Sequence, residues 1–256
     1  MDLRMAFTED AANYDRCRPA YPKELFLEIA EYTPLGKDSR ALEIGIGTGQ
    51  ATLPILNTGC AVTAVELGRE LHDYVKKKFS GHDRFEAVHA DFMNVLPGGN
   101  AFDLVYCATA FHWLPAGEGY RRVMDCLKPG GALALFWNHP YPNRQNDAGN
   151  LVNRRIYAKY RPSGGEPVEF SERDCGERRM ELKRYGFTDI RTKLYRRVRT
   201  LSSGDYIGLL NTYSDHRTLP PAPREAFEKE MKATLDGIGG RINIYDTIDL
   251  YLGRKP

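Results

Sequence analysis

The sequence predicts an α/β fold on a mostly parallel sheet, with helices on both faces and a helical cap, and three observations predict it. From about residue 38 to 138, short apolar runs alternate with helical stretches. Each run carries few charges and gives way to a loop or a helix start, as parallel strands buried on both faces do. The last segment, 242–252, instead alternates apolar and polar side chains and reads as a strand with two unlike faces.

The N-terminal arm, 1–37, is helical. Within it, Leu25, Ile29 and Tyr32 fall at helical spacing over 22–34, and Pro22 suits a first turn. The core, 38–138, supplies five strands at 40–45, 61–66, 85–90, 102–107 and 132–137. Residues 139–200 are more polar, with two basic amphipathic helices at 147–161 and 171–185 and a sixth strand at 187–198. The segment 201–241 reads as a cap of two helices, parted by LPPAP at 219–223. Residues 242–256 carry the last strand, and the whole of 1–256 is expected to form one domain.

Bulk properties exclude more than they assert. A chain of 256 residues, 42% hydrophobic and 27% charged, can bury a core of ordinary size. A net charge of +2 gives no reason to expect nucleic acid or an anionic membrane as partner. No apolar run approaches the ~20 residues of a membrane span, and the first ten residues lack a basic segment followed by an apolar one. The expectation is a cytoplasmic protein, monomer or homodimer. The five cysteines are scattered, with no C-x-x-C pair and no histidine at zinc-site spacing, so they read as small buried hydrophobes and no metal is expected. The basic pairs at Arg154, Arg178 and Arg196 are interrupted by acids and read as solvated helix surface.

The chemistry begins at EIGIGTGQ, 43–50. A strand ending at Ile44, then Gly45, Gly47 and Gly49, then a helix, forms a loop whose backbone N–H groups can approach a ligand with no Cβ in the way. The spacing is G-x-G-x-G and not the G-x-G-x-x-G of dinucleotide sites. Glu66 closes the next strand, where a carboxylate can accept from both hydroxyls of a ribose. That acid suits nicotinamide and S-adenosylmethionine sites alike. Three further features discriminate: Glu43, on the same strand face as Gly45; Asp91 with Phe92, closing the third strand; and LKPGG at 127–131, just before the fifth.

In order and spacing these blocks resemble class I S-adenosylmethionine-dependent methyltransferases. The resemblance implies a Rossmann-like, seven-stranded, mostly parallel sheet with an antiparallel last strand. It also implies roles: Gly45, Gly47 and Gly49 around the methionine moiety, Glu66 on the ribose, and Asp91 with Phe92 on the adenine; Glu43, Leu67 and Ala108 are expected as further cofactor-binding residues. Outside the core, YDRCRPAYP at 14–22, FHWL at 111–114, DYIGLLNTY at 205–213 and LYLGRK at 250–255 look like the trans-aconitate methyltransferase group. From that likeness Tyr14 and Arg18 are expected on an arm over the cofactor, the arginine beside its carboxylate.

Acceptor residues are expected at the carboxyl ends of the strands and on the cap. His112 is the candidate base, its ordinary pKa being suited to that role. Trp113, Tyr213 and Arg217 are candidate substrate contacts, with His216 beside them. The expected activity is methyl transfer to a small molecule, with a carboxylate oxygen as the preferred acceptor. A nicotinamide-dependent oxidoreductase and a non-catalytic S-adenosylmethionine-binding protein stand as alternatives.

Overall fold

The computed structural model describes residues 11–95, 99–161 and 167–256. Seven strands form one sheet: β1 (Arg40–Ile44), β2 (Ala61–Glu66), β3 (Phe85–His89), β4 (Phe102–Ala108), β5 (Leu127–Tyr141), β6 (Thr188–Ser202) and β7 (Arg241–Arg254). Their order is β3-β2-β1-β4-β5-β7-β6, with the first five parallel and β7 antiparallel to both of its neighbours. This is the mixed, Rossmann-like sheet that the sequence implies. The strand order reverses at β1, with β2 and β3 on one side and β4 and β5 on the other, so the loops after β1 and β4 diverge and leave a crevice at the strands' carboxyl ends.

Period-two alternation sorts the core onto two faces. On one face, Ala41, Leu104, Tyr106 and Phe136 pack against α2 (Lys23–Tyr32), α3 (Thr52–Leu56) and α4 (Arg69–Lys78). On the other, Leu42, Val105 and Leu135 pack with Tyr120 and Val123 of α5 (Ala116–Cys126) and Leu182 of α7 (Gly176–Arg184). Each fully buried aliphatic side chain contributes roughly 1.5–3 kcal/mol to this assembly. Cys60, Cys107, Cys126 and Cys175 are buried as free thiols, and Cys17 is half-buried.

The cap has its own apolar centre. Val152 and Ile156 of α6 (Ala148–Tyr160), Leu209 of α8 (Ser203–Leu210), Phe227 and Met231 of α10 (Pro221–Asp236), and Ile242 of β7 pack together. A one-turn helix, α9 (Ser214–Arg217), lies between α8 and α10, so the cap has three helices where the sequence predicts two. The prolines expected to stop a helix also start one. Pro221 opens α10, where its fixed φ suits the first turn and its missing N–H would have no partner in any case.

Two other expectations are corrected. β5 begins at Leu127, five residues before the predicted strand, because Gly130 N donates to Lys255 O and Lys255 N to Gly131 O, which draws the glycine turn into the sheet. The basic pairs are not uniformly solvated helix surface. Arg178 lies over the Trp137 ring, 3.6 Å from its centroid, and Arg197 sits in β6 with its Nε 3.0 Å from the buried Asp246. Both are half-buried, one stacked on a ring and one paired with a carboxylate, contacts that a planar guanidinium favours.

His216, on α9, is buried beside Phe227, and its Nε2 is 2.6 Å from the Tyr157 hydroxyl. Burial pushes its pKa down to about 4 from an ordinary 6.5. The unfolded chain therefore binds a proton that the folded chain resists. The stability held by neutral His216 is complete above about 6.5 and is lost as pH falls toward about 4. Relative to a His216→Leu variant, wild-type stability should fall with a slope of up to about 1.4 kcal/mol per pH unit across that window, measured by urea denaturation.

Candidate active site

The loops at the strands' carboxyl ends enclose a cavity of about 330 Å³, at the lower end of the ~300–1,000 Å³ usual for ligand pockets. Its floor is the glycine loop. Gly45, Gly47 and Gly49 all hold positive φ, between +59° and +84°, which an L side chain rarely adopts. A Cβ on Gly45 would stand 2.8 Å from Ala110 Cβ, so this glycine lets the loop press against the end of β4. A Cβ on Gly49 would strike the Phe79 ring at 2.5 Å. Gly49 thus serves packing against α4 and lies outside the cavity lining, whereas Gly45 and Gly47 line it.

Two carboxylates shape the loop. Glu43, 1% exposed, accepts from the Thr52 and Tyr106 hydroxyls, each at 2.7 Å. Burial outweighs both donors and pushes its pKa up to about 7. Glu66, at the end of β2, accepts from Gly47 N at 3.0 Å and Gly68 N at 2.9 Å, and burial raises its pKa as well. It ties the glycine loop to the next strand while lining the cavity. Leu67, Asp91, Phe92 and Ala108 line the same cavity, Asp91 Oδ1 also accepting from Met93 N.

The arm closes over this floor. Helix α1 (Ala11–Cys17) carries Asp15, which accepts from Lys78 Nζ at 2.6 Å and the Tyr74 hydroxyl at 2.8 Å, both on α4. Lys78 also donates to Thr48 O of the glycine loop. On its other side the arm grips the cap, where Asn13 Nδ2 donates to Gly208 O and Arg18 Nη2 to Thr212 O. The Arg18 guanidinium lies between the rings of Tyr14 and Tyr213, and its Nε is buried without a hydrogen-bond partner. A buried, unpaired N–H of a cation, in a wall of the cavity, is a vacant donor for an anionic group.

At the other end of the cavity stand Thr109, His112, Trp113, Asn138, Pro140, Tyr213 and Asp215. Thr109 holds φ +55°, a strained conformation for a residue with a branched side chain. The Tyr21 hydroxyl supports it, 2.7 Å from Thr109 Oγ1. His112 Nδ1 is 3.1 Å from Trp137 Nε1, which donates to it. Asp215 is paired with Arg161. Arg217 lies outside the cavity lining, since α9 turns Tyr213, Ser214 and Asp215 toward the cavity and its own end away.

A methyltransferase domain model matches residues 41–131, from β1 to the glycine turn in β5. An uncharacterized methyltransferase of Schizosaccharomyces pombe is 29% identical over 88% of this chain and 85% of its own length. Among solved structures, a type II methyltransferase candidate from Anaeromyxobacter dehalogenans superposes with a TM-score of 0.65 at 20% identity, over 93% of this chain and 97% of that one. Phosphoethanolamine N-methyltransferase 2 of Haemonchus contortus, solved with phosphomonomethylethanolamine and S-adenosylhomocysteine, gives 0.59 at 15% identity, over 100% of this chain and 60% of that one. The chain is a class I S-adenosylmethionine-dependent methyltransferase.

These relatives set aside the nicotinamide alternative. The residues of the methyltransferase also fit its cofactor: a glycine floor that a side chain would fill, a carboxylate at the end of β2, apolar walls at Leu67 and Phe92, and the unpaired Arg18 Nε. Sequence reasoning missed Asp15, Thr109 and Asn138. Asp15 stands in the block YDRCRPAYP, whose spacing gives it no role, Asn138 carries no local pattern, and Thr109 shows itself only through its backbone angle.

The loop and the arm make separate predictions. Gly47→Arg should abolish S-adenosylmethionine binding by calorimetry with the fold intact by circular dichroism, since an arginine there meets both an unfavourable φ and the Tyr14 ring. Asp15→Ala releases the arm from α4 and should weaken cofactor binding about tenfold, the worth of one or two hydrogen bonds to a charged group.

Proposed function

We propose that this methyltransferase acts on a small molecule and that the accepting atom is a carboxylate oxygen. The observation that carries this reading is the hydrogen bond from Trp137 to His112. An indole N–H can only donate, so His112 Nδ1 must be the acceptor and the ring's proton must sit on Nε2. Burial and the nearby Arg178 charge lower the His112 pKa and keep the ring neutral. His112 therefore offers an N–H donor and not a base.

The other candidate bases are engaged. Glu43 and Glu66 hold the glycine loop, and Asp215 holds Arg161. An acceptor end furnished with donors and no base suits an acceptor that is already nucleophilic at neutral pH. A carboxylate is one; a phenol or an amine would gain from a base. The likeness of the arm and the FHWL segment to the trans-aconitate methyltransferase group supports the same class.

In this reading Gly45 and Gly47 cradle the methionine moiety, Arg18 with Tyr14 takes its carboxylate, Glu66 takes the ribose hydroxyls, and Asp91 with Phe92 takes the adenine. Bound there, S-adenosylmethionine supplies a methyl group on a sulfonium sulfur, which keeps the electron pair of the broken bond. Leu67 and Ala108 wall the cofactor side, Trp113 and Tyr213 the acceptor side, and together they exclude water. The alignment that they impose can be worth ~7–11 kcal/mol. The reading takes the protein to work in the cytoplasm on a free metabolite, with no nucleic acid or membrane partner.

Labelled S-adenosylmethionine and a panel of acids, phenols and amines test the acceptor class, with methyl esters expected as products. Wild type should show no acidic limb from His112 in its rate profile, and His112→Gln, which keeps an N–H near the Nε2 position, should retain kcat/KM within about tenfold. An acidic limb in wild type that disappears in His112→Gln, together with a loss of about a hundredfold or more, would make His112 a base and overturn this reading.

A further inference from the structure

Beneath the acceptor end lies a charged cluster that the cofactor chemistry does not use. Asp246, in the middle of β7, is 2% exposed. It accepts from Arg197 Nε at 3.0 Å, from Arg199 through Nε and Nη2, and from Asn138 Nδ2 at 3.1 Å. Arg197 also donates to Ala20 O in the arm and to Asn138 Oδ1 at 3.3 Å. Two guanidinium ions around one carboxylate leave the cluster a net cation, held by strands on both sides of β7.

The partners fix the Asn138 amide without ambiguity. A carboxylate only accepts and a guanidinium only donates, so Nδ2 must face Asp246 and Oδ1 must face Arg197. One of the two Nδ2 hydrogens is used. The other is committed to no hydrogen bond among the described residues, and Asn138, like His112, lines the cavity.

We propose that Asn138 orients the acceptor carboxylate by donating its second Nδ2 hydrogen to it, with Asp246 and Arg197 as positioning residues that keep the amide nitrogen on that side. The inference rests on the carboxylate reading above and adds a residue to it. With the neutral His112 N–H, the acceptor end then presents two donors to an anion over a cationic support. Such an arrangement favours an acid over its uncharged amide, because only the acid carries full negative charge to meet charge-assisted hydrogen bonds.

The test uses the whole chain with butanoate, hexanoate, succinate and benzoate as acceptors and their primary amides as competitive inhibitors. Asn138→Leu preserves shape and removes the donor, and Asn138→Ser is the second variant should the first fail to fold. For the acid that wild type methylates best, KM should rise about tenfold or more, the worth of a hydrogen bond to a charged group. kcat should fall less, the amide Ki should change less, and the Kd for S-adenosylmethionine should stay within about twofold. Asp246→Asn lets the Asn138 amide turn over and should narrow the preference for acid over amide. An unchanged KM in the folded Asn138 variants overturns the inference and leaves the function standing. Wild-type transfer to phenols or amines, with none to any acid, overturns both.

Discussion

A carboxylate taken out of water loses several kcal/mol of solvation unless hydrogen bonds replace what it gave up, and Glu43 is such a group at the root of the glycine loop. The Thr52 hydroxyl on α3 and the Tyr106 hydroxyl on β4 both point at it. Three elements are thereby pinned around one buried atom, and the loop between β1 and α3 has no freedom left in its ends. Glu66 pins the same loop from the other side through Gly47 N. The cavity floor is tied down from both sides because these two acids take their hydrogen bonds from the chain itself.

The parts of this architecture that could be read in the sequence are those encoded locally. Strands β1 to β4 announce themselves as apolar runs ended by glycine, acid or turn residues, and Glu66 and Asp91 stand at strand ends at fixed distances from the loop. The early start of β5 could not be read, since Gly130 and Gly131 look like a turn until Lys255 pairs with them from the far end of the chain. Arg197 looked like surface for the same reason. Its partner Asp246 lies 49 residues away and meets it only through the antiparallel register of β6 and β7. The proton position on His112 likewise depends on Trp137, 25 residues on.

The two ends of the cavity therefore differ in kind. The glycine-loop end is built mainly within residues 41–131, the span shared with the methyltransferase domain model, with Tyr14 and Arg18 of the arm over it. The opposite end draws on Asn138 and Tyr213, both beyond that span, with Asp246 held against Asn138, together with the arm. Its wall is built from late strands and an inserted cap that the glycine loop does not constrain, so its side chains can differ while the loop stays the same.

The arm joins these two ends. Asp15 fastens it to α4 and Lys78 to the loop, while Asn13 and Arg18 fasten it to the cap beside Tyr213. One short arm therefore bears on both walls of the chamber, and a substitution that frees it from α4 also removes support from the wall at Tyr213.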